Sequence, residues 1–153
     1  MRRVDRGKVD AEAAQAARGR LETRTTLEAA VANADLVVEA VPERMELKKG
    51  LLTDIEKASK ESTILATNTS SLSITELASA TSCPERVVGM HFFNPVAVMP
   101  LVELVRGEYT DPDVLSETRR VAEQMGKSCI EVIDSPGFAT SRLGITLGNE
   151  AMR

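Results

Sequence analysis

His91 is the chain's single histidine. It stands in Gly-Met-His-Phe-Phe-Asn-Pro, and a carboxylate, Glu103, follows twelve residues later in an apolar run. An imidazole, whose ordinary pKa lies near neutrality, with a carboxylate able to reach its second nitrogen is the usual kit for moving one proton. Phe92 and Phe93, two of the three phenylalanines, directly follow the histidine, so its surroundings read as dry and packed. A lone histidine is also commonly a satisfied structural residue, so the case for chemistry depends on what the neighbouring segments bring to it.

Three further polar clusters are candidates. Asn68-Thr-Ser-Ser71 follows an apolar run and precedes a helical pattern; its hydroxyl and amide groups could hold a ligand oxygen, Ser70 in particular, or Ser71 and Ser73 could simply cap the helix. Glu43 and Lys48 open a helix just past another apolar run. Each is a ligand contact or, equally, a dipole-complementing acid and a solvated base. Asn94-Pro95 is first of all a turn signal, with ligand contact as the second reading. Asp134-Ser-Pro-Gly-Phe138 sets a rigid turn before the last helix, where Thr140 and Ser141 either project over strand ends or are plain first-turn residues, and Arg142 faces solvent. Cys83 and Cys129 read as small apolar residues, too few and too far apart for a disulfide framework or a metal site.

The elements that must position these groups alternate. Asp10 to Arg18 is alanine-rich and helix-prone, Thr23–Thr25 reads as a short strand, and Leu27 to Ala32 as a helical stretch. Asp35–Val41 is a β-branched, nearly continuous apolar run, as expected of a strand buried on both faces, and Pro42 stops it. Glu43 to Ser59 has helical periodicity, with Met45, Leu47, Leu51, Leu52 and Ile55 on one face and Lys48, Lys49, Asp54 and Glu56 on the other. Thr63–Thr67 is the next strand. Ser73 caps a helix over Ile74–Ala80 with Glu76 completing a capping box. Arg86–Phe92 is a strand, Leu101–Val105 a shorter one, Asp111–Met125 a helix closed by Gly126, Cys129–Ile133 the last strand, and a final helix starts near Phe138. This rhythm predicts an α/β fold with a doubly wound, mostly parallel sheet, in which ligands gather past the carboxyl ends of strands. Val41–Glu43, Asn68–Ser71 and His91–Asn94 then share one rim and one site.

Bulk properties exclude other classes. At 153 residues, 42% hydrophobic and 27% charged, the chain has room for one domain with a real core. The net charge of −4, without a basic stripe interleaved with aromatics, argues against nucleic acid as a partner. No apolar run approaches the roughly 20 residues needed to cross a bilayer, and the basic start lacks the apolar stretch of a secretory signal. A reducing, cytoplasmic compartment is expected. The charged, Ala-rich beginning without a buried strand, and a last helix running to Arg153 with no closing glycine or proline, are expected of a truncated chain.

Five stretches together resemble the 3-hydroxyacyl-CoA dehydrogenase family: Asp35-Leu-Val-Val-Glu-Ala-Val41, Ala66-Thr-Asn-Thr-Ser-Ser-Leu72, Val88-Gly-Met-His-Phe-Phe-Asn-Pro95, Met99-Pro-Leu-Val-Glu-Leu104 and Ser135-Pro-Gly-Phe138. The resemblance covers about residues 9 to 153 and is greatest to the 3-hydroxybutyryl-CoA branch. It implies a Rossmann-like NAD-binding domain over residues 1–135 and the first helix of an all-α domain over 136–153. It implies NAD-dependent oxidation of the 3-hydroxyl of an acyl-CoA to a ketone, or the reverse, with the parent protein a homodimer. The family's base falls on His91, its orienting carboxylate on Glu103, and the serine contacting substrate oxygen and nicotinamide on Ser70. Cofactor contacts fall on Glu43, Lys48, Ser70 and Asn94, and substrate contacts on Ser70, Asn94 and Ser141. Two departures go with it. The family's Gly-x-Gly-x-x-Gly turn and its ribose-reading acid have no counterpart in the chain, which leaves NAD against NADP open, and Ser141 stands where many members carry asparagine. The rival readings are a non-catalytic fragment or relative that keeps only the nucleotide-binding fold, and a different nicotinamide enzyme built on a catalytic lysine.

Overall fold

The computed structural model describes residues 10–153. Its elements run α1 (Ala11–Gly19), α2 (Leu27–Val31), β1 (Leu36–Glu39), α3 (Met45–Ala58), β2 (Ile64–Thr67), α4 (Ile74–Ala78), β3 (Val87–Phe92), β4 (Leu101–Arg106), α5 (Pro112–Gln124), β5 (Ser128–Ile133) and α6 (Thr140–Ala151). The strands form one sheet in the order β1-β2-β3-β4-β5. Three of its pairings are parallel, and β3 against β4 is antiparallel.

Side-chain alternation along each strand divides the sheet into two faces. On one, Leu65, Val87 and Val105 meet Val31 of α2, Leu52 and Ile55 of α3, Ile74 and Leu77 of α4, and Phe138. On the other, Ala66, Val88, Met90, Val102 and Leu104 meet Leu115 and Ala122 of α5. Following the first face along the strands, the apolar residues give way to Glu39, Thr67, His91 and Glu103, all of them buried. The register sets Glu39 beside Thr67 and His91 beside Glu103. One end of an otherwise apolar face is therefore a buried polar row.

Two backbone positions matter to that end of the sheet. A Cβ on Gly89 would lie 2.6 Å from Val105 Cβ and 2.9 Å from Ile74 Cδ1, so only glycine lets β3 pass under α4. After β5 the chain turns through Gly137 (φ 73°) and Phe138 (φ 49°). For a phenylalanine that left-handed conformation is strained, and the residue is 2% exposed in the core, which offsets the cost.

Several expectations need correction. Thr23–Thr25 forms no strand; residues 21–26 are exposed, and among the described residues β1 pairs only with β2. Among the described residues β1 is accordingly the edge of the sheet, with Val38 37% exposed instead of buried on both faces. Lys48 is not on the solvated face of α3. It lies on the inward face with Met45, Leu52 and Ile55 and is 1% exposed, while Leu47, expected inside, is 40% exposed. β4 is as long as β3 rather than shorter. Ser73 caps α4 as expected, accepting from Glu76 N, but the Glu76 carboxylate accepts from Lys49 Nζ at 2.8 Å instead of closing a capping box.

Candidate active site

His91 and Glu103 are cross-strand neighbours, so register alone brings their side chains together on one face. His91 Nδ1 lies 2.7 Å from Glu103 Oε2. The Glu103 side chain is fully buried and accepts from three more donors: Ala139 N (3.1 Å) and Thr140 N (2.9 Å) at Oε1, and the Thr140 hydroxyl (2.9 Å) at Oε2. Burial alone would push this carboxyl up. The bonds from His91, Thr140 and Ala139 outweigh it and hold the carboxyl below its ordinary value. An ionised carboxylate only accepts, so Nδ1 carries the proton and the lone pair of Nε2 is left for chemistry. Among the described residues nothing is hydrogen-bonded to Nε2. The ring packs against Phe93 (centroids 4.6 Å apart) and Phe138 (5.9 Å). Phe92, expected to help enclose it, packs on the opposite face by alternation.

A second cluster forms where β1 turns into α3. Lys48 Nζ donates to both oxygens of Glu39 (2.7 and 3.0 Å) and to the Val41 carbonyl (3.0 Å). Glu39 also accepts from Val41 N (2.6 Å) and the Thr67 hydroxyl (2.7 Å). This buried pair fixes the turn that presents Glu43, whose carboxylate reaches out to the Asn68–Ser71 segment. Glu43 accepts from the Thr69 hydroxyl, Ser70 N (3.0 Å) and the Ser71 hydroxyl (3.4 Å), and stands 3.6 Å from Lys48. Burial raises the Glu43 carboxyl, and the donors Thr69, Ser70 and Lys48 bring it net below its usual range.

Asn68 ties this segment to the histidine strand, its Oδ1 accepting from Phe92 N at 2.8 Å. Ser70 and Ser141 line one cleft of about 350 Å³ with Ser71, Pro136, Gly137 and Arg142. Asn94 is exposed just beyond β3, at a cis peptide bond with Pro95. Arg142 is exposed and donates to the Ser135 hydroxyl. Asp134 accepts from the Ser73 hydroxyl (2.7 Å) and Thr75 N (2.8 Å). Its carboxyl is pushed up by burial and pulled down further by these bonds. The structure thus bonds His91 to Glu103 and Glu43 to Ser70, sets Ser70 and Ser141 along one cleft, and places Lys48 behind Glu43. Sequence reasoning gave no role to Glu39 or Thr67, and it placed Thr69 and Asp134 in a polar cluster and a turn without their partners. Glu39 had a signal, being the one charge inside the Leu36–Val41 apolar run.

The family profile described as "3-hydroxyacyl-CoA dehydrogenase, NAD binding domain" matches residues 1–135. A probable 3-hydroxybutyryl-CoA dehydrogenase of Bacillus subtilis is 42% identical over 151 residues, 99% of this chain and 52% of that protein. The fatty acid oxidation complex subunit alpha of Acinetobacter baylyi is 50% identical over 109 residues, 71% of this chain and 15% of that protein. The crystal structure of (S)-3-hydroxybutyryl-CoA dehydrogenase from Ralstonia eutropha superposes with a TM-score of 0.94 at 40% identity, covering 98% of this chain and 53% of that one. The chain spans about half the length, or less, of these relatives.

Proposed function

The chain belongs to the 3-hydroxyacyl-CoA dehydrogenase family through its NAD-binding domain, and from that premise we propose that it carries the cofactor-binding and acid–base groups of an NAD-dependent 3-hydroxyacyl-CoA dehydrogenase. The observation that carries the proposal is the 2.7 Å bond between His91 Nδ1 and Glu103 Oε2, which leaves Nε2 as the proton acceptor. In the oxidation direction Nε2 takes the proton of the substrate's 3-hydroxyl as C3 becomes a ketone, and in reduction His91 returns it. Glu103 meets the imidazolium with a buried negative charge. The Ser70 hydroxyl, in the cleft shared with Ser141, holds the reacting oxygen, and Asn94 and Ser141 hold the acyl-CoA beside it.

The polar groups beyond β1 and β2 suit the nicotinamide half of the cofactor. The carboxylate of Glu43 can accept from ribose hydroxyls, Ser70 and Asn94 are exposed neutral partners for a carboxamide, and Lys48 serves by fixing the turn that carries Glu43. Held by these groups, NAD would supply the acceptor for the hydride that leaves C3. We assign residues 1–135 to the cofactor domain and 136–153 to the start of a helical second domain. α6 leaves Leu143, Ile145 and Leu147 more than half exposed, as a helix built to pack against further structure would. A cytoplasmic, homodimeric parent enzyme belongs to the same proposal. Two free, half-buried thiols are in keeping with a reducing compartment, and no helix among the described residues is long and apolar enough to cross a membrane.

The test is reduction of acetoacetyl-CoA by NADH in the full-length protein. His91→Ala should lower turnover 100-fold or more, the usual worth of a positioned acid–base group, with NADH affinity unchanged. Wild-type turnover in that variant would end the proposal.

A further inference from the structure

The four donors around Glu103 are not equivalent. Oε1 is held by two backbone groups, Ala139 N and Thr140 N, and any non-proline residue at 140 would keep both. Oε2 is shared between His91 Nδ1 at 2.7 Å and the Thr140 hydroxyl at 2.9 Å. That hydroxyl is the one contact of the four that depends on which side chain α6 carries in its first turn. We propose that Thr140 is a positioning residue of the acid–base pair: its hydroxyl shares a single Glu103 oxygen with His91 and limits how much of that oxygen's charge the ring receives. The proposal rests on His91 being the base.

The physical basis is competition for one lone-pair-rich oxygen. A carboxylate oxygen that accepts a second hydrogen bond is partly neutralised and steadies a neighbouring imidazolium less. The Glu103 side chain has no exposed surface, so water does not take the place of a lost donor. Removing the hydroxyl while keeping the side-chain shape therefore leaves Glu103 anchored through Oε1 and hands the full acceptor strength of Oε2 to His91. The other groups around the ring do not blur this effect. Phe93 and Phe138 are uncharged, and Arg142, the cation in the first turn of α6, is directed to the Ser135 hydroxyl. Among the described residues, Glu103 is the titratable group bonded to the ring. The same contact makes the first turn of α6 part of the apparatus that sets the base, so a displacement of that helix would be felt at His91.

The 153-residue chain has one histidine, so its imidazole C2 proton can be followed by NMR titration without ambiguity and without cofactor or substrate. Thr140→Val should raise the His91 titration midpoint by about half a pH unit or more relative to wild type. Thr140→Ser, which restores the hydroxyl, should bring it back. In a Glu103→Gln background Thr140→Val should move the midpoint no further, because the effect passes through the carboxylate. Should Thr140→Val not fold, Thr140→Ala carries the same expectation. An unchanged or lowered midpoint overturns the proposal, as does failure of serine to restore it or an equal displacement in the Glu103→Gln background. Because the titration needs no turnover, its failure is distinct from failure of the dehydrogenase reading, which the His91→Ala assay decides.

Discussion

Replacing Glu103 by glutamine keeps volume and removes one charge, so it isolates what the carboxylate does for His91. During oxidation a positive charge appears on a ring whose nitrogen sits 2.7 Å from Oε2, in a pocket with no exposed carboxylate surface. At an effective dielectric of about 20, two unit charges roughly 4 Å apart attract by about 4 kcal/mol. The Ala139 and Thr140 donors already offset part of that charge, so about 2–4 kcal/mol is lost from the transition state, roughly 30- to 1000-fold in kcat. A second effect pushes toward the upper end. Ala139 N and Thr140 N both point at Oε1 and demand an acceptor there, which sends the new amide NH2 to the Oε2 position, facing His91 Nδ1. Two donors cannot face each other, so the imidazole must move its proton to Nε2, the nitrogen that should accept from substrate. KM should change little, because the Glu103 side chain has no exposed surface. The assay is oxidation of 3-hydroxybutyryl-CoA by NAD in the full-length protein, with thermal unfolding to confirm the fold and ¹⁵N shifts of the single histidine in the 153-residue chain to report the tautomer. A folded variant with kcat within threefold of wild type would refute the reasoning.

Lys48→Met leaves Glu39 buried without its cation and should cost about 3–5 kcal/mol in urea unfolding; the paired Glu39→Met/Lys48→Met variant should recover most of it, and a loss below about 1 kcal/mol would show that the pair is not held as described. Gly89→Ala drives a methyl against Val105 and Ile74 and should destabilise by about 1–3 kcal/mol, which a shift in the denaturation midpoint would reveal. Ser141→Asn lengthens a side chain lining the cleft with Ser70 and should leave acetoacetyl-CoA turnover similar or higher; loss of folding instead would make Ser141 a packing residue. Glu43, Glu103 and Asp134 each have a folded-state carboxyl held below its ordinary value despite burial. The stability they add is therefore complete above the ordinary carboxylate range and is lost as pH falls through their folded values. Unfolding free energy should decline on that acid side, and Glu103→Gln should flatten the decline; an unchanged acid limb would contradict the bonding seen at Glu103.

Element type was legible where periodicity was long, as in α3 and α5, and where punctuation was strong, as at Pro42, Asp111-Pro112 and Gly126. Strand position was not. Leu36–Glu39 carries the apolar run of a central strand and, among the described residues, pairs on one side only, because composition reports what a strand tolerates on its faces and says nothing of how many neighbours it has. Direction was hidden in the same way, although the chain held one usable signal. Only eight residues, 93–100, separate β3 from β4, and a parallel crossover needs a dozen or more. That length already requires the antiparallel pairing.

The direction of β4 is also what makes the site. Antiparallel register sets His91 opposite Glu103, so a twelve-residue separation in sequence becomes a cross-strand pair with no long loop left to order. Lys48 shows the limit of reading by residue type. Its position, three residues after Met45 and four before Leu52, assigns it to the inward face of α3, and its charge suggested the opposite. Position prevailed because Glu39, at the end of the neighbouring strand, stands where the ammonium emerges. In both pairs a charge in an apolar stretch has its partner on the adjacent element. An isolated ionisable residue inside a buried run is therefore best read as half of a pair whose other half the topology has still to bring.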